Sequence, residues 1–101
     1  MSSLAFSHLE NADLTSAYLR KAILRGAYLN GANFKDAHLD EAKLDLAHLE
    51  GVDLSSATGL EQEQVNAAKG SADTKLPLGL CLPKNWTAVG PNTPNACPAT
   101  K

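Results

Sequence analysis

The side chains best suited to chemistry are three histidines, two tyrosines and two cysteines. His8 and His48 are separated by forty residues, with Tyr28 midway between them, and His38 follows Tyr18 by twenty. Imidazole binds metals and transfers protons, whereas Tyr and His grouped on a rigid surface suit protein recognition. Which chemistry applies depends on the elements that position these side chains.

A five-residue repeat runs through the first half of the chain. Large apolar residues recur at every fifth position, with Ala, Ser or Val two places before each. An α-helix would scatter these residues around its cylinder, and a flat strand would alternate them between two faces. A chain that turns a corner after each unit points them all to one axis, and four corners close a coil of twenty residues. The large residues are Leu4, Leu9, Leu14, Leu19, Leu24, Leu29, Phe34, Leu39, Leu44, Leu49 and Leu54.

Stacked coils place residues twenty apart about 4.8 Å from each other. His8, Tyr28 and His48 then share one face, while Tyr18 and His38 share the opposite face. His8 and His48 would be about 10 Å apart, too far to share one metal ion, so we predict no metal site. These five side chains are instead candidates for a partner-binding face, with a solvated aromatic ladder as the alternative.

The same register predicts two rungs of opposite charge. Arg20 should lie beside Asp40, and Arg25 beside Asp45. Exposed pairs of this kind contribute about 0–1 kcal/mol each, so they would favour the register more than the stability.

The units "ADLTS", "GANFKDA" and "GVDLSSA" resemble the pentapeptide-repeat family, whose unit is Ala-(Asp/Asn)-Leu-X-X. The resemblance covers residues 2–58 and is closest to bacterial proteins, including those of cyanobacteria and the thylakoid lumen. It implies an all-β solenoid, a right-handed quadrilateral β-helix of just under three coils. The position before the central Leu departs from the family pattern in most units, and fits it at Asp13, Asn33 and Asp53.

Residues 59–70 are predicted to form a short C-terminal capping α-helix. Thr58 and Glu61 have the spacing of a capping box, Gln62 to Ala68 favour a helix, and Gly70 would end it. This helix would cover the unpaired edge of the last coil.

Residues 71–101 contain all five prolines and read as an extended tail packed on the rod. Phe6, Ile23 and Leu46 break the polar pattern on one outer face of the coil. We expect this face to be the surface on which the tail packs, with a contact to another chain as the alternative.

The spacing of Cys81 and Cys97 alone does not show whether they pair. Some thylakoid-lumen relatives carry a disulfide at this end, so the resemblance implies a Cys81–Cys97 bridge in an oxidising compartment. The first residues, "MSSLAFSHLE", do not have the form of a signal peptide. We expect the thylakoid lumen or periplasm if a leader was removed and the bridge is oxidised, and the cytoplasm otherwise.

The sequence predicts a protein that is not an enzyme and needs no cofactor. A rod filled with hydrocarbon has no cleft in which catalytic groups converge. Nine Lys and Arg against eleven Asp and Glu predict no nucleic-acid binding, and the lack of a long apolar run predicts no membrane span.

We therefore expect a structural or protein-interaction module with an unidentified protein partner. The alternative is the family's DNA-mimic role, in which acidic rods bind type II topoisomerases.

The repeat already runs at Leu4, so we also expect the first coil to be covered, either by a second chain in a homo-oligomer or by preceding residues.

Overall fold

The computed structural model describes residues 3–86. Its helical elements are one α-helix, α1, over Gln62–Ala67 and one 3₁₀-helix over Lys84–Trp86. The rest of the described chain consists of turns, irregular segments and single-residue parallel β-bridges. Neither helix is long and apolar enough to cross a membrane.

Eight of the ten β-bridges in residues 3–86 join residues twenty apart, and all ten fall into four columns. Backbone hydrogen bonds run along the stack: the Leu9 amide donates to the Tyr28 carbonyl oxygen at 2.8 Å, and the Tyr28 amide donates to that of Ser7 at 2.8 Å. The chain is therefore a β-helix-like solenoid with a coil of twenty residues, as predicted. The first column holds Ser3, Ile23 and Lys43, the second His8, Tyr28, His48 and Lys69, the third Asp13, Asn33, Asp53 and Lys75, and the fourth Tyr18, His38 and Thr58.

The core is the narrow interior of the coils. Leu29, Phe34 and Leu39 are fully buried, and so are the alanines beside them, Ala27 and Ala37. Burying each large side chain contributes about 1.5–3 kcal/mol, which makes this column the main source of stability. The large residues of the first coil, from Leu4 to Leu14, are only half-buried.

The corners of the coil were predicted, and each one is a tight turn whose geometry the sequence pattern did not specify. The Ser7 amide donates to the Leu4 carbonyl oxygen at 3.1 Å, and the same bond recurs in every unit up to Ala57. The third residue of most turns has a positive φ, such as 59° at Ser16 and 74° at Gly31. A left-handed backbone costs a residue other than glycine about 1–2 kcal/mol, so burial of the core must offset this strain.

Helix α1 covers the last regular coil on the first face, but its start differs from the prediction. The helix begins after Glu61, whose amide donates to Gln64 Oε1 at 2.6 Å. Thr58 does not cap the helix, because it forms the last rung of the fourth column. Val65, within the helix, is fully buried, and the helix ends at Ala67, three residues before Gly70.

The coil continues beyond the helix. Lys69 pairs with His48 and Lys75 with Asp53, at spacings of 21 and 22 instead of twenty. Thr74 is buried and its hydroxyl donates to the Leu49 carbonyl oxygen at 2.8 Å. The predicted extended tail is thus revised, since its first residues wind around the stack as an irregular further coil.

The 3₁₀-helix holds this further coil in place. Trp86 is buried, its Nε1 donates to the Ala68 carbonyl oxygen at 3.2 Å, and its ring lies against Gly70. A side chain at Gly70 would collide with the ring, which explains a glycine there better than a role in ending the helix.

Candidate functional site

The five predicted partner-face residues form two aromatic ladders on opposite faces of the coil. Each residue directly precedes one of the large residues that point into the coil, so its own side chain points outward. The twenty-residue register then sets rings of successive coils above one another. The first ladder consists of His8, Tyr28 and His48, and the second of Tyr18 and His38.

The rings of the first ladder are stacked in parallel. The ring centroids of His8 and Tyr28 are 4.7 Å apart with an interplanar angle of 6°. Those of Tyr28 and His48 are 4.6 Å apart at 5°. This spacing is that of neighbouring β-strands, so the backbone fixes the distance between the rings.

A polar column that sequence reasoning missed lies beside the first ladder. His8 Nδ1 is 3.3 Å from Glu10 Oε2, and His48 Nδ1 is 3.6 Å from Glu50 Oε2. Asn30, between the two carboxylates, donates from Nδ2 to Glu50 Oε1 at 2.8 Å. Glu10, Asn30 and Glu50 have the same spacing of twenty as the rings, and this spacing was the signal that could have revealed the column.

The charge of this column favours contact with hydrogen-bond donors. The pKa of the Glu10 carboxyl lies below its ordinary value, first because a backbone N–H donates to it and then because of the His8 side chain. The carboxylate is therefore ionised at neutral pH and exposed beside the ring. Parallel stacking turns the ring edges and their polar tips outward, next to Glu10 and Glu50.

The second ladder is shorter. The ring centroids of Tyr18 and His38 are 4.6 Å apart at 8°, and His38 Nδ1 lies 3.2 Å from the Thr58 hydroxyl. Tyr18 is 84% exposed, so one face of its ring is open at the first coil. The first ladder is longer, with three stacked rings against two in the second. Exposure falls along it, because the His8 side chain is 73% exposed and that of His48 is 28% exposed.

The outward residues of the third column serve local structure instead. Asp13 accepts hydrogen bonds from the hydroxyl and amide of Thr15 at 2.6 and 3.1 Å, and Asp53 accepts the same bonds from Ser55 at 2.6 and 2.9 Å. These hydroxyl bonds, and then the amide bonds, lower the pKa of both carboxyls. The outward carboxylates of the third column therefore stabilise the turns that follow them.

The predicted charged rungs do not form, although the register that they assumed is present. Arg20 and Asp40 form no ion pair within the described chain, and neither do Arg25 and Asp45. The Asp40 carboxylate lies against Gly59 instead. Long exposed side chains gain too little from pairing to be fixed by register alone.

The predicted tail-packing face is only partly covered. Ile23 is half-buried, but Phe6 and Leu46 are 61% and 42% exposed. The described part of the tail therefore leaves the Phe6 and Leu46 side chains of this face in contact with solvent.

Within residues 3–86, His, Cys, Asp and Glu do not gather into any group of three that could hold a metal ion. Cys81 is disulfide-bonded, and its backbone N–H and C=O pair with the Gln62 side chain at 3.0 and 2.9 Å. Cys97 lies outside the described residues, so the Cys81–Cys97 pairing stays a prediction.

Comparison with known families accounts for the repeat. Residues 2–36 and 32–58 match the family of pentapeptide repeats, with eight copies of the repeat. No curated protein matches the chain significantly. The matched segments span more than half of the chain and coincide with the regular coils. The chain therefore belongs to the pentapeptide-repeat family.

Proposed function

We propose that this chain is a non-enzymatic protein-interaction module, a right-handed quadrilateral β-helix that binds a protein partner through its first aromatic ladder. The observation that carries the proposal is the parallel stacking of His8, Tyr28 and His48 at 4.6–4.7 Å on one face. A structural and interaction role is what membership of this family suggests.

The ladder suits binding because its side chains are ordered in advance. Binding normally costs the rotamer freedom of each side chain that becomes immobilised. Stacking on the fixed coil spacing restrains Tyr28 from both sides, so less freedom remains to be lost. Tyr is also enriched among the residues that dominate binding energy at interfaces.

The carboxylates beside the ladder indicate the chemistry of the partner. Glu10 and Glu50 flank the ring edges and accept hydrogen bonds, as does the Tyr28 hydroxyl. A partner segment that presents Arg or Lys side chains would complement this face.

A pull-down from the source organism tests the proposal, with the wild-type chain and two variants as bait. Tyr28→Thr interrupts the first ladder, and Tyr18→Thr is the matched control on the opposite face. Thr58 already occupies an outward bridge position, so both variants should fold. We expect Tyr28→Thr to capture at least about tenfold less of a specific protein, and Tyr18→Thr to capture as much as wild type. Equal capture by all three baits would contradict the proposal.

We do not propose the DNA-mimic role. The second and third columns end in Lys69 and Lys75, and histidines line both ladders. The net charge of −2 is also small for a surface that imitates nucleic acid. We expect high micromolar protein to leave DNA supercoiling by a type II topoisomerase unaffected.

A further inference from the structure

A backbone amide on the first face, which carries the first column, lacks the acceptor that its equivalents have. The Leu4 amide donates to the Ile23 carbonyl oxygen at 2.7 Å. One coil later, the Leu24 amide donates to the Lys43 carbonyl oxygen at 2.8 Å. The Leu44 amide has the same position in the third coil but donates to no acceptor within residues 3–86, although Leu44 is only 2% exposed. Buried backbone N–H groups nearly always have a partner, so this amide points to a ligand.

The acceptor is missing because helix α1 lies where the next rung of the first column would be. That rung would offer a donor to the Ala42 carbonyl oxygen and an acceptor to the Leu44 amide. Gln64 replaces the donor, because its Nε2 lies 3.0 Å from the Ala42 oxygen. Its Oε1 already accepts from the Glu61 amide, so it cannot replace the acceptor. The helix therefore leaves a place for one carbonyl oxygen.

A hollow of about 730 Å³ opens at this place, between the third coil and helix α1. Its volume is within the range of about 300–1,000 Å³ that is typical of ligand pockets. Ile23 in the lining is half-buried and Ala67 is exposed, so a ligand can enter from solvent. The apolar part of the lining consists of Ile23, Ala42, Leu44 and Ala67.

The charges around the hollow indicate what kind of ligand fits. Lys21 and Glu41, both in the lining, form an ion pair at 3.8 Å. Lys43, Asp45 and Glu63 also line the hollow and form no ion pair within the described chain. Two unpaired carboxylates against one ammonium group favour a ligand that carries cationic side chains. They also disfavour a carboxylate as the missing acceptor, whereas a neutral peptide carbonyl meets no such repulsion.

We propose that this hollow binds an extended segment of a partner protein in which apolar residues alternate with Lys or Arg. A backbone carbonyl oxygen of the segment accepts the Leu44 N–H and so adds the missing rung to the first column. An apolar side chain contacts Ile23 and Ala67, and the cationic side chains reach the exposed carboxylates of Asp45 and Glu63. Addition of an extended segment to an open edge is a general mode of peptide recognition.

This site is separate from the first ladder, which lies on the second face. The proposal therefore does not rest on the function proposed above. It concerns a different surface, with a hydrogen bond to the backbone in place of contacts to stacked rings.

A titration with defined peptides, followed by backbone NMR of the whole chain, tests the proposal. The probe is acetyl-Lys-Leu-Lys-Leu-Lys-amide, whose blocked ends carry no charge. Acetyl-Lys-Ser-Lys-Ser-Lys-amide removes the apolar groups, and acetyl-Glu-Leu-Glu-Leu-Glu-amide reverses the charge. The contact is small, so we expect a dissociation constant of about 0.1–1 mM and titrate to about 10 mM peptide.

The Leu44 amide is the main reporter. On binding, its proton should shift downfield and exchange with solvent at least about fivefold more slowly, because it gains an acceptor. The Leu24 amide, already bonded at 2.8 Å, should change little. We expect both control peptides to bind at least about tenfold more weakly than the probe.

Two variants locate the contact. Ala67→Phe fills the hollow and Glu63→Lys reverses a charge at its rim, and both residues are exposed on helix α1, so both variants should fold. Asn66→Phe, exposed on the same helix outside the lining, is the control for size. Asp36→Lys, at an exposed corner away from the first face, is the control for charge, since Lys21 occupies an equivalent corner at a φ of 60°. We expect each hollow variant to bind the probe at least about tenfold more weakly, and each control as wild type does.

Four results would overturn the proposal. The first is no binding of the probe at about 10 mM. The second is binding that neither hollow variant weakens, which would place the contact elsewhere. The third is a Leu44 amide whose shift and exchange do not respond to the bound peptide. The fourth is a control peptide that binds as tightly as the probe.

A ladder variant separates this proposal from the proposed function. Tyr28→Thr interrupts the first ladder on the second face, so it should bind the probe as wild type does. Failure of the pull-down would leave the peptide titration unchanged, and failure of the titration would leave the ladder untouched. A loss of probe binding in Tyr28→Thr would place the peptide on the ladder and contradict the site in the hollow.

Discussion

Gln64 caps the last regular coil by donating from Nε2 to the Ala42 carbonyl oxygen at 3.0 Å. The same amide donates to the Leu39 carbonyl oxygen at 2.9 Å. A β-strand would satisfy such groups from its own backbone, but helix α1 cannot. The side chain of Gln64 therefore replaces a strand at this edge.

Replacement of Gln64 by Met should destabilise the chain. Met has a similar length but neither a donor nor an acceptor. The Ala42 and Leu39 carbonyl oxygens therefore lose the Gln64 donor and the Glu61 amide loses its acceptor, while the Leu39 oxygen keeps the bond from the Ala42 amide. We expect a loss of about 1–3 kcal/mol in the free energy of unfolding, measured by chemical denaturation. Glu63→Met, on the exposed side of the same helix, is the control. A Gln64→Met variant as stable as this control would contradict the capping role.

Leu29→Asp should abolish folding. Leu29 is fully buried, and an unpaired carboxylate there costs several kcal/mol, a large share of the stability of a small domain. Circular dichroism should show no cooperative thermal transition. Lys35→Asp, at an exposed turn position, should unfold close to wild type. A cooperative transition for Leu29→Asp would show that this side chain does not point inward.

Ser16→Gly should stabilise the chain. The φ of Ser16 is 59°, and glycine removes the cost of a left-handed backbone, although it adds freedom to the unfolded chain. We expect a net gain of about 0.5–1 kcal/mol, seen as a higher thermal midpoint. Ser7→Gly, one residue before the bridge residue His8 and without a positive φ, should instead lose about 0.5–1 kcal/mol. The same sign for both variants would contradict the corner geometry.

Acid should weaken the fold partly through Asp53. Its pKa is lowered in the folded chain by the hydroxyl and then the amide of Ser55, so its contribution is complete above the ordinary value of 3.8. That contribution is lost as the pH falls below 3.8 and through the folded pKa. Asp53→Asn keeps an oxygen acceptor, as Asn33 does toward the Lys35 amide, but does not titrate. Its stability should therefore fall less between about pH 4 and pH 2 than that of wild type. Parallel pH curves for the two proteins would rule out this role.

The regular coils were predictable because the interior of so narrow a rod accepts few residue types. A large apolar residue at every fifth position and a small one two places earlier fixed the inward side, and four units fixed the register. The ladders followed from the same register, since backbone spacing alone brings Tyr28 within stacking distance of His8 and His48.

The remaining features depend on contacts that the repeat does not specify. The charged rungs failed because long exposed side chains are not held by register. The capping box was misassigned because Thr58 pairs with His38 as a rung. The irregular coil through Lys69 and Lys75 was not visible, because its spacings of 21 and 22 break the period.

The most direct test of the account is solution NMR of the backbone, through contacts and couplings between residues twenty apart. The account predicts nuclear Overhauser effects from Tyr28 backbone protons to those of His8 and His48. It also predicts a scalar coupling across the hydrogen bond from the Leu29 amide to the His48 carbonyl, whose N and O atoms are 3.1 Å apart. Contacts between residues three apart throughout residues 4–54, with none at a spacing of twenty, would indicate helices and contradict the coil.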